Sequence, residues 1–457
     1  MDERARWGPS AAAIAEGIRR VVPAAELDLV PLVDGGEGTA RSLAAATGGS
    51  LTFRTATGPV GDPVRTHFAL LDERDGSDAA HAGTDADPPQ AGDWTSARGG
   101  VRTAVVEMAA VAGLSLVPAD RRDPCATTTH GVGELISAAL DAGARRLLIG
   151  CGDSGTSDGG AGALQALGAR LLDRHGRELP RGGAALGRLD RIDVAGLDPR
   201  LWDTEILVAC NPYNVLAGER GVARVFGPQK GAGPAQVARL EHALERWADI
   251  LARDVPEQKG RDTGAPRITR TPVDDTDAVR QRAAGLKQDP GTGASGGLGA
   301  GLAALGARLL PRFEVLLDHL DLDARLEAAH LVITAEGGLD RQTVRGKVPA
   351  EVARRAQALG KPVLALAGTL GEGAHTVRES GVDAYSSILP APVGLAEALD
   401  RGAEYLADAA EHAVRMVLLG TRLTSRAGMP DPASSGPASS GPVPRVRVDA
   451  LAGRATG

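Results

Sequence analysis

Residues 151–160, Cys-Gly-Asp-Ser-Gly-Thr-Ser-Asp-Gly-Gly, bring two carboxylates, three hydroxyls and four glycines into one short segment. The apolar run Arg146–Gly150 precedes it, and a helical pattern, Ala161–Leu172, follows. A buried strand therefore ends in a polar loop that opens a helix. In open α/β sheets, ligands bind beyond the carboxyl ends of strands. Helix-start N–H groups attract anions, and glycine lets the backbone approach them closely. Two carboxylates beside an anion site need a cation or a proton-transfer task. Phosphate chemistry is the natural reading.

Four more loops have the same character. They are Val33-Asp34-Gly35-Gly36-Glu37-Gly38-Thr39, Phe226-Gly227-Pro228-Gln229-Lys230-Gly231-Ala232, residues 291–299 with Ser295, Gly296 and Gly297, and residues 334–343 with Glu336 and Asp340, followed by Lys347. Any one alone reads as a tight turn. The loop at 291–299 lacks the Gly-Lys-Ser/Thr ending of a P-loop. Asp34, Asp153 and Asp158 are candidates for a general base or for Mg²⁺ ligands, Asp153 and Asp158 foremost for the metal. Lys230 and Lys347 are compact cations for phosphate or a substrate carboxylate. Glu336 and Asp340 could hold a metal or orient Lys347. Gly35, Gly36, Gly155, Gly159, Gly160, Gly296 and Gly297 would present N–H groups, with Ser154 and Ser295 beside them. Asp34 and Asp158 also sit where helix caps sit, Lys230 could be a plain loop charge, and His130 suits capping better than catalysis.

These loops need strands and helices to hold them. Strand patterns cover residues 27–33, 103–108, 146–150, 206–210, 331–334 and 363–367. Helical spacing covers residues 11–22, 39–47, 131–142, 161–172, 234–252, 299–310, 349–359 and 396–419. Strands separated by helix-length runs imply parallel α/β sheets. With 457 residues, the chain is long enough for two or three domains. A net charge of −7, 2% aromatics and no basic stripe argue against a nucleic-acid groove. Three cysteines without a C-x-x-C pair argue for a reducing compartment. No run is apolar enough for a membrane span and the first residues do not read as a secretory signal, so a cytoplasmic protein is expected. Residues 72–100, 254–290 and 426–457 are polar or of low complexity; the first two read as loop insertions and the last as a disordered tail.

The combination resembles the bacterial type-1 glycerate kinases. The likeness rests on Pro31–Thr39, Gly58-Pro59-Val60-Gly61-Asp62-Pro63, Val106–Leu116, Thr127–Gly133, Gly150–Leu172, Phe226–Ala232, Gly293–Gly301 and Leu331–Gly368. The resemblance implies two α/β domains: a flavodoxin-like parallel sheet built from both chain ends (1–50 plus 291–425) and an inserted mixed α/β domain (51–253), with the active site in the cleft between them. It implies transfer of the γ-phosphoryl group of ATP to D-glycerate, the 2-hydroxyl favoured, with Mg²⁺; small-molecule partners only; and compatibility with a homodimer. Its members begin with an apolar strand ahead of the first helix, and here only Pro9–Ala12 matches the end of that element. In a 2-1-3-4-5 sheet that strand is interior. The expectation is therefore a gap in the sheet, and a natural start upstream of residue 1. The alternatives are a catalytically impaired descendant that binds a sugar acid or nucleotide, and an α/β hydrolase with Asp34 or Asp153 as nucleophile.

Overall fold

The computed structural model describes residues 9–71, 101–256, 276–318, 320–345, 347–426 and 445–450. It is a mixed α/β protein of two compact units, Met1–Val33 with Leu320–Gly457, and Asp34–His319. The chain starts in the first unit with helix α1 (Pro9–Val21) and strand β1 (Glu26–Pro31). Ile14 and Ile18 recur on one face of α1 and are fully buried.

The second unit opens with helix α2 (Thr39–Thr47), then strands β2 (Ser50–Thr57), β3 (Pro63–Leu70) and β4 (Thr103–Glu107). Helix α3 (His130–Asp141), strand β5 (Arg146–Gly150) and helix α4 (Ala161–Ala166) follow. Strands β6 (Arg170–Leu172) and β7 (Arg191–Asp193) form an antiparallel pair. Strand β8 (Glu205–Cys210) and helices α5 (Pro234–Asp254), α6 (Thr276–Gln288) and α7 (Ala294–Ala304) lead to strand β9 (Arg308–Pro311). The six-stranded sheet runs β2-β3-β4-β5-β8-β9. Its first two pairings are antiparallel and the rest parallel. Trp247 of α5, fully buried, anchors the core on one face.

The chain then returns to the first unit with strand β10 (Leu331–Leu339), helix α8 (Val348–Ala358), strands β11 (Val363–Leu370) and β12 (Ala384–Ser387), helix α9 (Gly402–Arg426) and strand β13 (Arg445–Ala450). Strands β10, β11 and β12 form a parallel three-strand sheet, which β13 and β1 extend in the order β1-β13-β10-β11-β12. Helix α1 lies against α9 at Gly17, where a Cβ would stand 2.1 Å from the carbonyl oxygen of Ala407.

Several expectations are corrected. The position left for a missing strand is filled: β13 pairs in parallel with β1 on one side and β10 on the other. Residues 445–450, Arg-Val-Arg-Val-Asp-Ala, thus belong to a sheet and not to a disordered tail; their period-2 apolar spacing suits a strand. The helix expected over 161–172 ends at Ala166, because Gly168 takes φ +104° and turns the chain into β6. The helix expected over 299–310 likewise gives way after Gly306 (φ +85°) to β9. The polar stretch 254–290 contains α6, with Ala283 and Leu286 buried. The units divide at 33/34 and 319/320, where the sequence suggested 50/51 and 290/291. Helix α2 packs on β3 and β4, and β9 pairs with β8, so both stay with the six-stranded sheet. The insertion at 72–100, and residues 257–275, 427–444 and 451–457, lie outside the described residues.

Candidate active site

Strand β5 is buried and β-branched or leucine-rich, so it ends inside the unit and delivers residues 151–155 at its carboxyl end. The loop 34–38 lies directly on it. A Cβ on Gly150 would meet the carbonyl oxygen of Gly35 at 2.8 Å, and one on Gly152 the Cα of Gly36 at 2.6 Å. This backbone-on-backbone contact is what the glycines at 35, 36, 150 and 152 permit. Asp153 takes φ +50°, a left-handed conformation that costs an aspartate on the order of 1 kcal/mol. That conformation sets its carboxylate beside Asp34. A Cβ on Gly36 would stand 2.4 Å from Asp153 Oδ2 and 3.1 Å from Asp34 Oδ1, so Gly36 separates the two acids. Burial, and then the charge of Asp34, push the Asp153 pKa up. Glu37 N–H donates to Asp153 (3.3 Å), Gly36 N–H to Asp34 (3.1 Å), and Arg312 Nη1 to Asp34 Oδ2 (3.2 Å).

Glu107, at the carboxyl end of β4, fixes the other side of this loop. Its two oxygens accept from Gly38 N–H (2.8 Å) and Ala40 N–H (3.0 Å), at the N-terminus of α2. They satisfy donors that the helix cannot pair internally. The side chain is buried, and that burial pushes its pKa up to about 7, with Glu37 and Asp153 adding to the rise and the two N–H bonds opposing it.

Deeper in the same unit, Asp158 is fully buried. It accepts from Thr129 N–H (2.8 Å), Thr129 Oγ1–H (3.0 Å), Gly160 N–H (3.2 Å) and Gly162 N–H (3.1 Å). It thus caps α4 and ties it to the start of α3. The sequence suggested a catalytic or Mg²⁺ role for it; here its carboxylate is engaged by these four donors within the core. Thr127 Oγ1 donates to the Gly155 carbonyl (3.0 Å), so the run Thr127–Thr129 supports the whole loop. Lys230, 2% exposed, lies beneath it. Its Nζ donates to Ser154 Oγ (2.8 Å) and the Thr156 carbonyl (2.6 Å). Burial pulls its pKa down to about 7, with Asp158 opposing. Lys230 is therefore no free phosphate clamp.

The glycines expected to offer N–H groups are mostly committed internally. Gly155 N–H donates to Ala112, Gly159 to Gly296, Gly160 to Asp158 and Gly297 to Gly293. Ser295, Gly296 and Gly297 form a left-handed run inside α7 that packs against 156–160. A Cβ on Gly296 would lie 2.0 Å from the Thr156 carbonyl oxygen. These residues brace the loop. Trp247 Nε1–H holds it from below through the Gly159 carbonyl at 2.8 Å.

In the other unit, Glu336 sits half-buried on β10. Asp340 accepts from Gln342 N–H (2.7 Å) and lies 3.7 Å from Lys347 Nζ, whose other contact is the Gly338 carbonyl at 3.4 Å. Lys347 is the N-cap residue of α8, with Val348-Pro349 opening the helix. Its side chain is partly exposed and lies beside Asp340. Buried Thr343 donates back to Asp340 and fixes the turn.

Sequence reasoning missed Glu107 and Arg312. Glu107 was findable as a lone carboxylate closing an apolar strand; Arg312 had no local signal. Among the described residues, no group of three or more His, Cys, Asp or Glu side chains is arranged to hold a metal. None of their helices is long and apolar enough to cross a membrane.

The pattern of the Glycerate kinase family matches residues 9–418. A protein of Bacillus subtilis named glycerate kinase is 40% identical over 398 residues, covering 87% of this chain and 90% of its own. An Escherichia coli protein named glycerate 2-kinase is 39% identical over 394 residues, covering 86% and 89%. The crystal structure of a Salmonella typhimurium protein, provisionally designated glycerate kinase 2, superposes with a TM-score of 0.68 at 38% identity, over 91% of this chain and 95% of that one. The carboxylate loops, the buried lysine and the Lys347 turn thus sit in a chain that belongs to the glycerate kinase family.

Proposed function

We propose that the protein transfers the γ-phosphoryl group of ATP to D-glycerate, at the 2-hydroxyl. The observation that carries this reading is the strained Asp153 held against Asp34 across Gly36. Backbone strain at a solvent-reaching carboxylate marks a functional position. Two adjacent acids with one raised pKa call for a neutralising cation. Hard oxygen donors, two carboxylates and room for phosphate oxygens suit Mg²⁺, which keeps few protein ligands. Asp34 and Asp153 would hold it, and when bound it would screen charge on the phosphates. Arg312 orients Asp34 through its hydrogen bond; Glu107 keeps the loop 34–38 at its place. Asp158 and the 295–297 run keep the loop 153–160 rigid, so no reorganisation is needed at the moment of reaction.

In the unit formed from both chain ends, the order β1-β13-β10-β11-β12 supports a flavodoxin-like reading, with β13 in the first-strand position of a 2-1-3-4-5 sheet. Lys347 follows the carboxyl end of β10 and opens a helix, which suits an anionic oxygen of nucleotide or glycerate. The 2-hydroxyl is favoured because the Escherichia coli relative carries that name. The test is ADP release from Mg·ATP with and without D-glycerate, for the wild type and Asp153→Asn. Glycerate-dependent release that falls at least 100-fold in the variant supports the reading; glycerate-independent release, or full activity of Asp153→Asn, overturns it.

A further inference from the structure

We infer that Ser154 is the group that meets the acceptor hydroxyl, and that Lys230 sets its proton from below, so that the two form a relay. The inference rests on the reading that places phosphoryl transfer at the Asp153 loop, and it adds the position of the acceptor hydroxyl there. Three features support it. Ser154 follows the strained Asp153 and is only partly buried, whereas Lys230 is 2% exposed, so the pair has an outer hydroxyl and an inner amine. The Nζ–Oγ distance is 2.8 Å, and the second Nζ bond, to the Thr156 carbonyl at 2.6 Å, fixes the amine's direction. Among the described residues, no carboxylate shares a hydrogen bond with Nζ; Asp158, the charged group that acts on Lys230, spends its oxygens on Thr129, Gly160 and Gly162.

A buried ammonium with only neutral acceptors is poorly stabilised. Lys230 accordingly titrates near 7. As an ammonium it donates to Ser154 Oγ. As a neutral amine it keeps one N–H on the Thr156 carbonyl and turns its lone pair to Ser154, which then donates. The step balances in that form. The acceptor O–H breaks and its proton passes to Ser154 Oγ, whose own proton passes to Nζ. The acceptor oxygen forms its bond to the γ-phosphorus as the bond to the ADP oxygen breaks. Lys230 leaves the step as an ammonium and returns the proton to solvent through Ser154. Activity therefore rises with pH as Lys230 loses its proton, a limb near pH 7. Ser154 is the catalytic residue here, and Lys230 a positioning residue that acts through it.

The experiment is the pH profile of kcat from pH 5.5 to 9 for the wild type, Ser154→Ala, Ser154→Thr and Lys230→Met, with KM for both substrates. The titration of ATP is common to all four, so only differences between profiles are read. Ser154→Ala is expected to lower kcat about 10²-fold or more, to leave KM within about threefold, and to lose the limb near pH 7. Ser154→Thr, which keeps the hydroxyl, is expected to restore the limb. Lys230→Met, close in volume, is expected to lose the limb as well. A Ser154→Ala enzyme that keeps the limb, or keeps kcat within threefold, overturns the relay, and it does so whether or not Lys230→Met folds. The parent reading is judged apart from this by Asp153→Asn, whose full activity would remove the acceptor from this loop.

Discussion

Replacing Asp158 separates support from chemistry at a carboxylate buried in the core. Its carboxylate accepts four bonds, from two N–H groups of the α4 start and from the N–H and hydroxyl of Thr129. In Asp158→Ala all four donors stay buried with no acceptor. Each unsatisfied buried donor costs about 1–3 kcal/mol. Local relaxation and an entering water reduce the sum, and broken buried charged networks cost about 3–5 kcal/mol. That is a large part of a typical stability of about 5–15 kcal/mol. Asp158→Asn keeps the shape but points an NH₂ at one or more N–H groups, and about 2 kcal/mol is expected. Urea unfolding followed by circular dichroism reads the loss. Turnover per folded molecule, at low urea and low temperature, is expected to stay within about tenfold of wild type in Asp158→Asn. An unfolding midpoint equal to wild type combined with abolished turnover would refute the capping argument and return Asp158 to the reaction.

Three further outcomes are expected. Glu107 has a native pKa of about 7 against an ordinary 4.5, so the folded state holds a proton that the unfolded chain has released. Its contribution is complete below about pH 4.5 and is lost as pH rises to 7, on the order of 3 kcal/mol. Unfolding free energies at pH 5, 6 and 7.5 should therefore fall relative to Glu107→Gln, and parallel profiles would contradict this. Gly17→Val should destabilise by about 1–3 kcal/mol, seen as a lower thermal midpoint, because a Cβ there meets the Ala407 carbonyl at 2.1 Å; an unchanged midpoint would show that α1 and α9 separate freely. Ending the chain after Arg426 removes the strand between β1 and β10 and leaves two rows of backbone groups unpaired, so poor solubility and a lost cooperative transition are expected; wild-type unfolding would show that β13 is dispensable.

Much of the site could be read before any coordinates. The loops at 34–38 and 151–160 carry glycines and acids at the ends of apolar strands, and the folded chain lays one on the other. The loop that carries Asp340 also carries Lys347 seven residues on, and the two lie 3.7 Å apart. What could not be read was which polar groups face inward. Asp153 and Asp158 are alike in sequence, yet one reaches solvent from a left-handed backbone and the other is consumed by four donors. That difference depends on Thr129, a neighbour only in space. Lys230 looked like a surface cation because its loop is polar, whereas Ser154 and Thr156, some 75 residues earlier, enclose it. Strands β2 and β3 escaped notice because both are only partly buried and mix Arg and Thr, and in β3 also His67, among their apolar residues. The place of β13 was illegible for a different reason: nothing local tells a chain end which sheet it will join.

Phosphorus NMR of wild-type protein and Asp153→Asn, each with Mg·ATP and D-glycerate, tests the central claim most directly. The account predicts a 2-phosphoglycerate signal that grows with glycerate in the wild type and falls at least about 100-fold in a variant that still folds. Inorganic phosphate without a phosphoester, or equal phosphoglycerate from both proteins, would contradict it.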